Sequence, residues 1–230
     1  ARVMSLREPE VLGANVTGPH KQAVMPLVDD VSETARLIGA VNTIVPSNGR
    51  LIGDNTDAYG FRRSIELAFP GLALERAVVL GAGGASRAVI VALRQMGLAS
   101  VVLANRTPER AESLADEFGI ESKHWDRVAE DAFPMADLLV NATSLGWHDE
   151  MPIAEKALDA LAGDAVVMDL TYRETPLLRA ASARGLRTLD GLGMLVRQGA
   201  RSFELWTGRE APVEVMQAAV VAEQARRAGL

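Results

Sequence analysis

Three polar side chains in the early part of the sequence could do chemistry. Lys21 closes "NVTGPHK", Asn42 lies in "GAVNT" and Asp57 ends "GDNTD". All three fall at turn positions beside apolar runs. A lysine and an aspartate can between them stabilise developing charge and give a proton a path without a metal. Taken singly, each also has a plain reading: an exposed lysine, a strand-edge amide and a helix N-cap.

A second group suits an anion. In "VVLGAGGASRA", Gly81, Ala82, Gly83, Gly84 and Ala85 join an apolar run to an amphipathic one. The first glycine permits a tight turn and the second lets the backbone approach a pyrophosphate. The helix that follows then faces the anion with N–H groups that have no helical partner. Ser86 takes the third position of the usual glycine pattern and is small enough to keep helix close to strand. One strand later comes Asn105-Arg106-Thr107, with Arg110 a helical turn further on. An NAD site normally carries an acidic residue there for the ribose 2′-hydroxyl, whereas a guanidinium suits a 2′-phosphate in shape and charge. Cations at a helix N-terminus oppose its dipole, which disfavours reading the arginines as a solvated pair. The expected cofactor is NADP.

The elements that must position these groups fall into two patterns. Up to Pro70-Gly71 the chain mixes short pieces. "VLGANV" reads as a strand, and "HKQAVMPLV" and "DDVSETARLIGA" as helices. "VNTIVPSNGRLIGDN" reads as a hairpin turning at Ser47-Asn48-Gly49, and "DAYGFRRSIELAF" as a helix. After it, continuous apolar strands ("RAVVL", "SVVLAN", "ADLLVN", "AVVMDL", then a short "LRTLDG") alternate with helices. This pattern argues for a parallel sheet covered on both faces. The tail, "GLGMLVRQGARSFELWTG" and "APVEVMQAAVVAEQARRAG", reads as two helices.

The bulk numbers narrow the field. The sequence has 230 residues, 48% of them hydrophobic, and a net charge of -6. With no basic run beyond the helix-end "ARRAG", a nucleic-acid partner is not expected. No apolar run is long enough for a membrane span. There is no cysteine, and the three histidines are scattered, so no metal site is expected.

Taken in order, "NVTGPHK", "ARLIGAVNT", "GDNTDAYGF", "GAGGASRA", "NRTPERA", "NATSLG" and "DGLGMLVRQGA" resemble the shikimate dehydrogenase family over essentially the whole chain. The resemblance implies a Rossmann-like doubly wound parallel sheet for the cofactor plus a smaller α/β substrate domain. Residues 1–70 would form the substrate domain, 71–190 the NADP domain, and 191–230 helices returning to the first. It implies that Lys21 and Asp57 are the catalytic pair beside the reacting hydroxyl. Thr17, Asn42, Asp57, Tyr172 and Gln198 would hold the substrate's hydroxyls and carboxylate. Gly81 to Ala85 would take the pyrophosphate, and Asn105, Arg106, Thr107 and Arg110 the adenosine phosphate. Thr143, Gly191 and Met194 would complete the cofactor site.

The implied reaction is NADPH-linked, reversible reduction of 3-dehydroshikimate to shikimate in aromatic amino-acid biosynthesis. It would be carried out in the cytoplasm by a monomer or homodimer. Two departures from the family pattern stand out. The family's opening segment, with a Ser-x-Ser pair for the substrate carboxylate, has no counterpart, so an N-terminally truncated chain is expected. "YRETPLL" also lacks the Asn-Pro pair usual in that loop. Two rival readings stay open: a quinate/shikimate dehydrogenase using NAD, and a catalytically silent NADP-binding sensor or interaction module.

Overall fold

The computed structural model describes residues 3–228. Along the chain run β1 (Ala14–Asn15), β2 (Asp30–Val31), α1 (Glu33–Ile38), β3 (Thr43–Ser47), β4 (Arg50–Asp54) and α2 (Asp57–Ala68). There follow β5 (Arg76–Leu80), α3 (Gly84–Gln95), β6 (Ser100–Asn105), α4 (Pro108–Phe118), β7 (Glu121–His124), α5 (Val128–Asp131) and β8 (Leu138–Asn141). The chain closes with β9 (Val166–Asp169), α6 (Pro176–Ala183), β10 (Arg187–Leu189), α7 (Leu192–Thr207) and α8 (Val213–Ala228). They gather into two compact units. One holds the chain up to Arg63 together with Gly193 onward, and the other holds Ser64–Leu192.

In the second unit six strands pair in the order β10-β9-β8-β5-β6-β7, and every pairing is parallel. A parallel strand covered on both faces has no polar side to show, which is why "RAVVL" and "LLVN" read as continuous apolar runs. Val78 and Leu80 pack on one face with Val102, Leu139, Val167 and Phe133. Their alternates Ala77 and Val79 are equally buried, and α3 buries an unbroken run from Ser86 to Leu93. The strand order reverses at β5, with β6 and β7 on one side and β8, β9 and β10 on the other. The carboxyl ends of β5 and β8 at such a reversal are where open α/β sheets bind ligands.

The first unit has a mixed sheet in the order β1-β3-β4-β2. β3 is antiparallel to both β1 and β4, while β2 lies parallel to β4. The hairpin expected at Asn48-Gly49 forms with both residues at positive φ, 50° and 75°, as a tight turn between twisted strands requires.

Three expected elements are corrected. "VLGANV" contributes only Ala14 and Asn15 to a strand. "HKQAVMPLV" is not a helix but a series of turns ending in a 3-10 turn, Met25–Leu27. Pro26 has no N–H to give a helix and crowds the preceding turn. The helix read across "DDVSETARLIGA" starts only at Glu33. Ser32 caps it by accepting a hydrogen bond from the Ala35 N–H, which leaves Asp30 and Val31 free to pair with β4. The sequence pattern carries the last helix on to Gly229, which lies outside the described residues. β7, the polar "ESKH", was missed; it is an edge strand, and edges tolerate charge because half of their backbone faces away from the sheet.

Gly191 makes the closest backbone approach of the second unit. A Cβ there would lie 2.0 Å from the Leu170 carbonyl oxygen, while its N–H donates to Thr171 O at 3.0 Å. Gly191→Ala is expected to cost about 1–3 kcal/mol by overpacking. Gly163→Ala, where a Cβ meets nothing within 4 Å, should stay within about 0.5 kcal/mol of wild type. Urea titration of both variants checks the contrast.

Candidate active site

The first unit is built around the Asp57 carboxylate. Asp57 is 6% exposed and is the first residue of α2, where the helix dipole favours a negative charge. Its backbone N–H is taken by Asn55 Oδ1 at 2.9 Å, and Asn55 Nδ2 in turn donates to Ala40 O at 2.9 Å. Asp57 Oδ2 accepts from Lys21 Nζ at 2.6 Å and Oδ1 accepts from Asn42 Nδ2 at 2.8 Å.

Local backbone bonds bring these partners in. Lys21 sits in a turn, where its carbonyl accepts from the Val41 N–H at 2.8 Å. That bond fixes Lys21 beside the residue preceding Asn42, and no helix is needed to present it. Asn42 is pinned on both sides: its N–H donates to Asp54 O at 3.0 Å and its C=O accepts from Val16 N at 2.7 Å. Its amide cannot be reversed, because Oδ1 accepts from the Thr56 backbone N–H at 2.8 Å. Thr17 is exposed on the turn before Lys21, and its carbonyl accepts from the His20 N–H at 3.0 Å.

Gln198 reaches the same cluster from α7. Its Oε1 lies 3.4 Å from Asn42 Nδ2 and 3.5 Å from Thr56 Oγ1, and its Nε2 donates to Leu195 O at 3.0 Å. Gly60 lets α2 and α7 close on one another, since a Cβ there would meet Met194 O at 2.7 Å and Gln198 Cβ at 2.9 Å. Met194 is buried within this unit, with its carbonyl facing α2. Lys21, Asn42, Asp57 and Gln198 converge, with Thr17 on the adjoining turn. Tyr172 belongs to the other unit, where its ring meets Trp147 edge-on at 4.7 Å.

Three members of the cluster were not anticipated. Thr43, Thr56 and Ser202 are 0%, 1% and 0% exposed and fill the space behind Asn42 with hydroxyls. The available signal was a serine one turn after Gln198 on the apolar side of α7, and a threonine directly after each of two asparagines.

In the second unit the glycine turn stands at the sheet's reversal point. Gly81 has φ 107°, and a Cβ there would press on Ala142 and Thr143 at 3.0–3.1 Å. Its N–H donates to Ala104 O at 2.7 Å. Gly83 precedes α3 and Gly84 begins it. A Cβ at either would meet nothing within 4 Å, so the turn opens a cradle lined by backbone in front of a helix N-terminus, a fit for a pyrophosphate. Thr143 borders it from the loop after β8, its Oγ1 donating to Asn141 Oδ1 at 2.7 Å and accepting from Leu145 N at 3.0 Å. Asn105 Nδ2 donates to Thr107 O at 2.9 Å, which shapes the turn into α4.

Arg106 and Arg110 are exposed, and among the described residues neither has an ion-pair partner. Two unmatched guanidinium groups at a helix N-terminus fit a dianionic phosphate. Asp190, just before α7, accepts from the Leu192 N–H at 3.0 Å. Burial raises its pKa above the usual carboxylate range, partly offset by that N–H. Among the described residues no cluster of three or more acidic, His or Cys side chains could hold a metal, and no helix is long and apolar enough to cross a membrane.

Comparison with known proteins bears on both units. Residues 1–44 match the family model for the shikimate dehydrogenase substrate binding domain, 64–172 that for shikimate/quinate 5-dehydrogenase, and 191–221 that for the shikimate 5′-dehydrogenase C-terminal domain. The shikimate dehydrogenase (NADP(+)) of Symbiobacterium thermophilum is 45% identical, over 96% of this chain and 79% of its own length. The shikimate 5-dehydrogenase of Thermus thermophilus, solved in complex with NADP(H) and shikimate, is 42% identical. It superposes with a TM-score of 0.84 over 99% of this chain and 82% of that one. The quinate dehydrogenase of Corynebacterium glutamicum, in complex with NAD, is 36% identical with a TM-score of 0.88, over 96% and 82% of the two chains. With its sheet order, its glycine turn and its Lys–Asp–Asn cluster all carried on a chain matched at this level, the protein belongs to the shikimate dehydrogenase family.

Proposed function

We infer that the protein is an NADP-dependent oxidoreductase that catalyses the reversible reduction of 3-dehydroshikimate to shikimate in aromatic amino-acid biosynthesis. The observation that carries the chemistry is the Asp57 carboxylate held at 2.6 Å by the Lys21 ammonium and at 2.8 Å by the Asn42 amide. When bound, NADPH supplies the hydride for the carbonyl carbon. Lys21 donates a hydrogen bond, and then the proton, to the oxygen on which negative charge develops. Asp57 offsets the charge of the ammonium and fixes its position, and Asn42 fixes Asp57. Such groups act because they are already oriented when the charge appears. Thr17, Asn42 and Gln198 hold the substrate's hydroxyls and carboxylate.

Gly81 to Ala85 and Thr143 receive the pyrophosphate side of the cofactor, with Gly191 contributing near its other end. Asn105, Arg106, Thr107 and Arg110 receive the adenosine 2′-phosphate. The first unit is then the substrate domain, with the C-terminal helices returning to it, and the second the NADP domain. The enzyme works in the cytoplasm, as a monomer or homodimer.

The rival reading, a quinate dehydrogenase using NAD, has a close fold relative in its favour. The exposed, unmatched Arg106 and Arg110 stand against it, since an NAD site calls for a carboxylate at that place. A silent sensor would have no use for a nearly buried lysine–carboxylate pair. Steady-state oxidation of shikimate and quinate with NADP and with NAD separates the three. The expected order has shikimate with NADP first, while quinate with NAD in first place would replace the reading.

Arg106→Ala should weaken NADPH binding roughly ten- to a hundredfold, the worth of one charged hydrogen bond, and leave NADH binding nearly unchanged. Fluorescence titration with both cofactors checks this; equal losses would remove the 2′-phosphate from Arg106. Lys21→Ala and Asp57→Asn should each lower kcat about a hundred- to ten-thousandfold. Cofactor affinity should survive in both, and a kcat within a few-fold of wild type in either would end the assignment.

A further inference from the structure

Asn42 is the side chain that sets the direction of the Asp57 carboxylate, and what sets Asn42 is a chain of buried hydroxyls. The hydrogen count fixes its direction. Asn42 Oδ1 is an acceptor, because the Thr56 backbone N–H already points at it at 2.8 Å. Thr43 Oγ1, 2.8 Å from the same oxygen, must therefore spend its one proton there. Thr43 Oγ1 is also 2.8 Å from Ser202 Oγ, and with its own proton committed it can only accept from Ser202. Ser202 in turn accepts from Asn15 Nδ2 at 3.0 Å. Thr56 Oγ1, at 3.2 Å, can fill its second lone pair. Ser202 Oγ can also donate to the Gln198 carbonyl, the longer contact at 3.1 Å, and Asn15 Nδ2 lies 3.2 Å from Thr43 Oγ1 as a second donor to it.

The result is one continuous donor-to-acceptor sequence: Asn15 Nδ2 to Ser202 Oγ, to Thr43 Oγ1, to Asn42 Oδ1. It leaves through Asn42 Nδ2 to Asp57 Oδ1. All five members lie in the first unit, and Ser202, Thr43 and Asn42 are at most 2% exposed. Hydrogen bonds aligned head to tail in a dry interior polarise one another. Pulling on the Asn42 oxygen makes its N–H a better donor to Asp57.

We propose that Ser202, through Thr43, is a positioning residue for the reaction: its hydroxyl orients and polarises the Asn42 amide that holds the Asp57 carboxylate against Lys21. This rests on the functional reading above. Ser202 touches neither Lys21 nor Asp57, so its effect on that pair passes through Asn42. Its loss should appear in the chemical step more than in substrate binding.

The test compares Ser202→Ala, Thr43→Val, their double variant and Ser202→Thr in shikimate oxidation with NADP. Ser202→Ala and Thr43→Val break the chain at different links, so a folding failure of one leaves the other informative. Each should lower kcat about three- to tenfold, the worth of one buried hydrogen bond. KM for shikimate and affinity for NADP should change by no more than about twofold. Because a chain is broken only once, the double variant should be no worse than the worse single. Ser202→Thr keeps the hydroxyl and should restore most of kcat. Unchanged kcat in both singles, a loss confined to KM, or losses that multiply in the double variant would overturn the proposal. A wild-type protein inactive toward shikimate sinks the functional reading and this inference with it; an active wild type with indifferent variants sinks this inference alone.

Discussion

A carboxylate that is almost out of water must have its charge matched and its lone pairs filled, or the fold bears the desolvation cost. Asp57 imposes that constraint on the first unit. Lys21 answers the charge and Asn42 fills the second oxygen. Much of the surrounding backbone is arranged to deliver those two groups. The Val41 N–H ties down the lysine turn, and Asp54 and Val16 grip the asparagine from either side. A glycine at position 60 lets α7 approach with Gln198. Removing either partner of the pair would strand the other, so the geometry is held by mutual need rather than by one strong contact.

The second unit answers a different constraint with backbone alone. A parallel sheet buried on both faces leaves its strand ends as the natural place for polar work. At the reversal between β5 and β8, Gly81 makes the tight passage past Ala142 that a side chain would block. Gly83 and Gly84 then leave open the space in front of α3. Nothing in that cradle distinguishes one dinucleotide from another. In the proposed function discrimination falls to Arg106 and Arg110 beyond the next strand, both exposed and without an ion-pair partner among the described residues.

What was legible in the sequence follows from how local each cause is. The glycine turn was readable because strand, turn and helix are neighbours in the chain and each glycine has a local reason. Strands β5, β6, β8 and β9 were readable because burial on both faces leaves a continuous apolar signature. Lys21 was readable as a residue but not as part of a helix, because Pro26 and a bond from Val41 decide its backbone. The capping serine at position 32 was legible in type, yet the strand it frees at Asp30 depends on pairing with β4, which no local pattern announces. Least legible was the hydroxyl cluster: Asn15 and Ser202 meet across 187 residues of sequence. A lone serine or threonine on an apolar face looks the same whether its hydroxyl is idle or bonded. The family resemblance supplied roles for Tyr172 and Met194 that composition and spacing alone do not contain.

The central claim is that Lys21 and Asp57 act as one unit. The most direct test is the kcat of the double variant Lys21→Ala/Asp57→Asn set against both single variants. Groups that work together are lost together, so the double variant should turn over no more than a few-fold slower than the worse single. A double variant whose loss is the product of the two single losses would contradict the account, because it would mean that the lysine and the carboxylate contribute to the reaction independently.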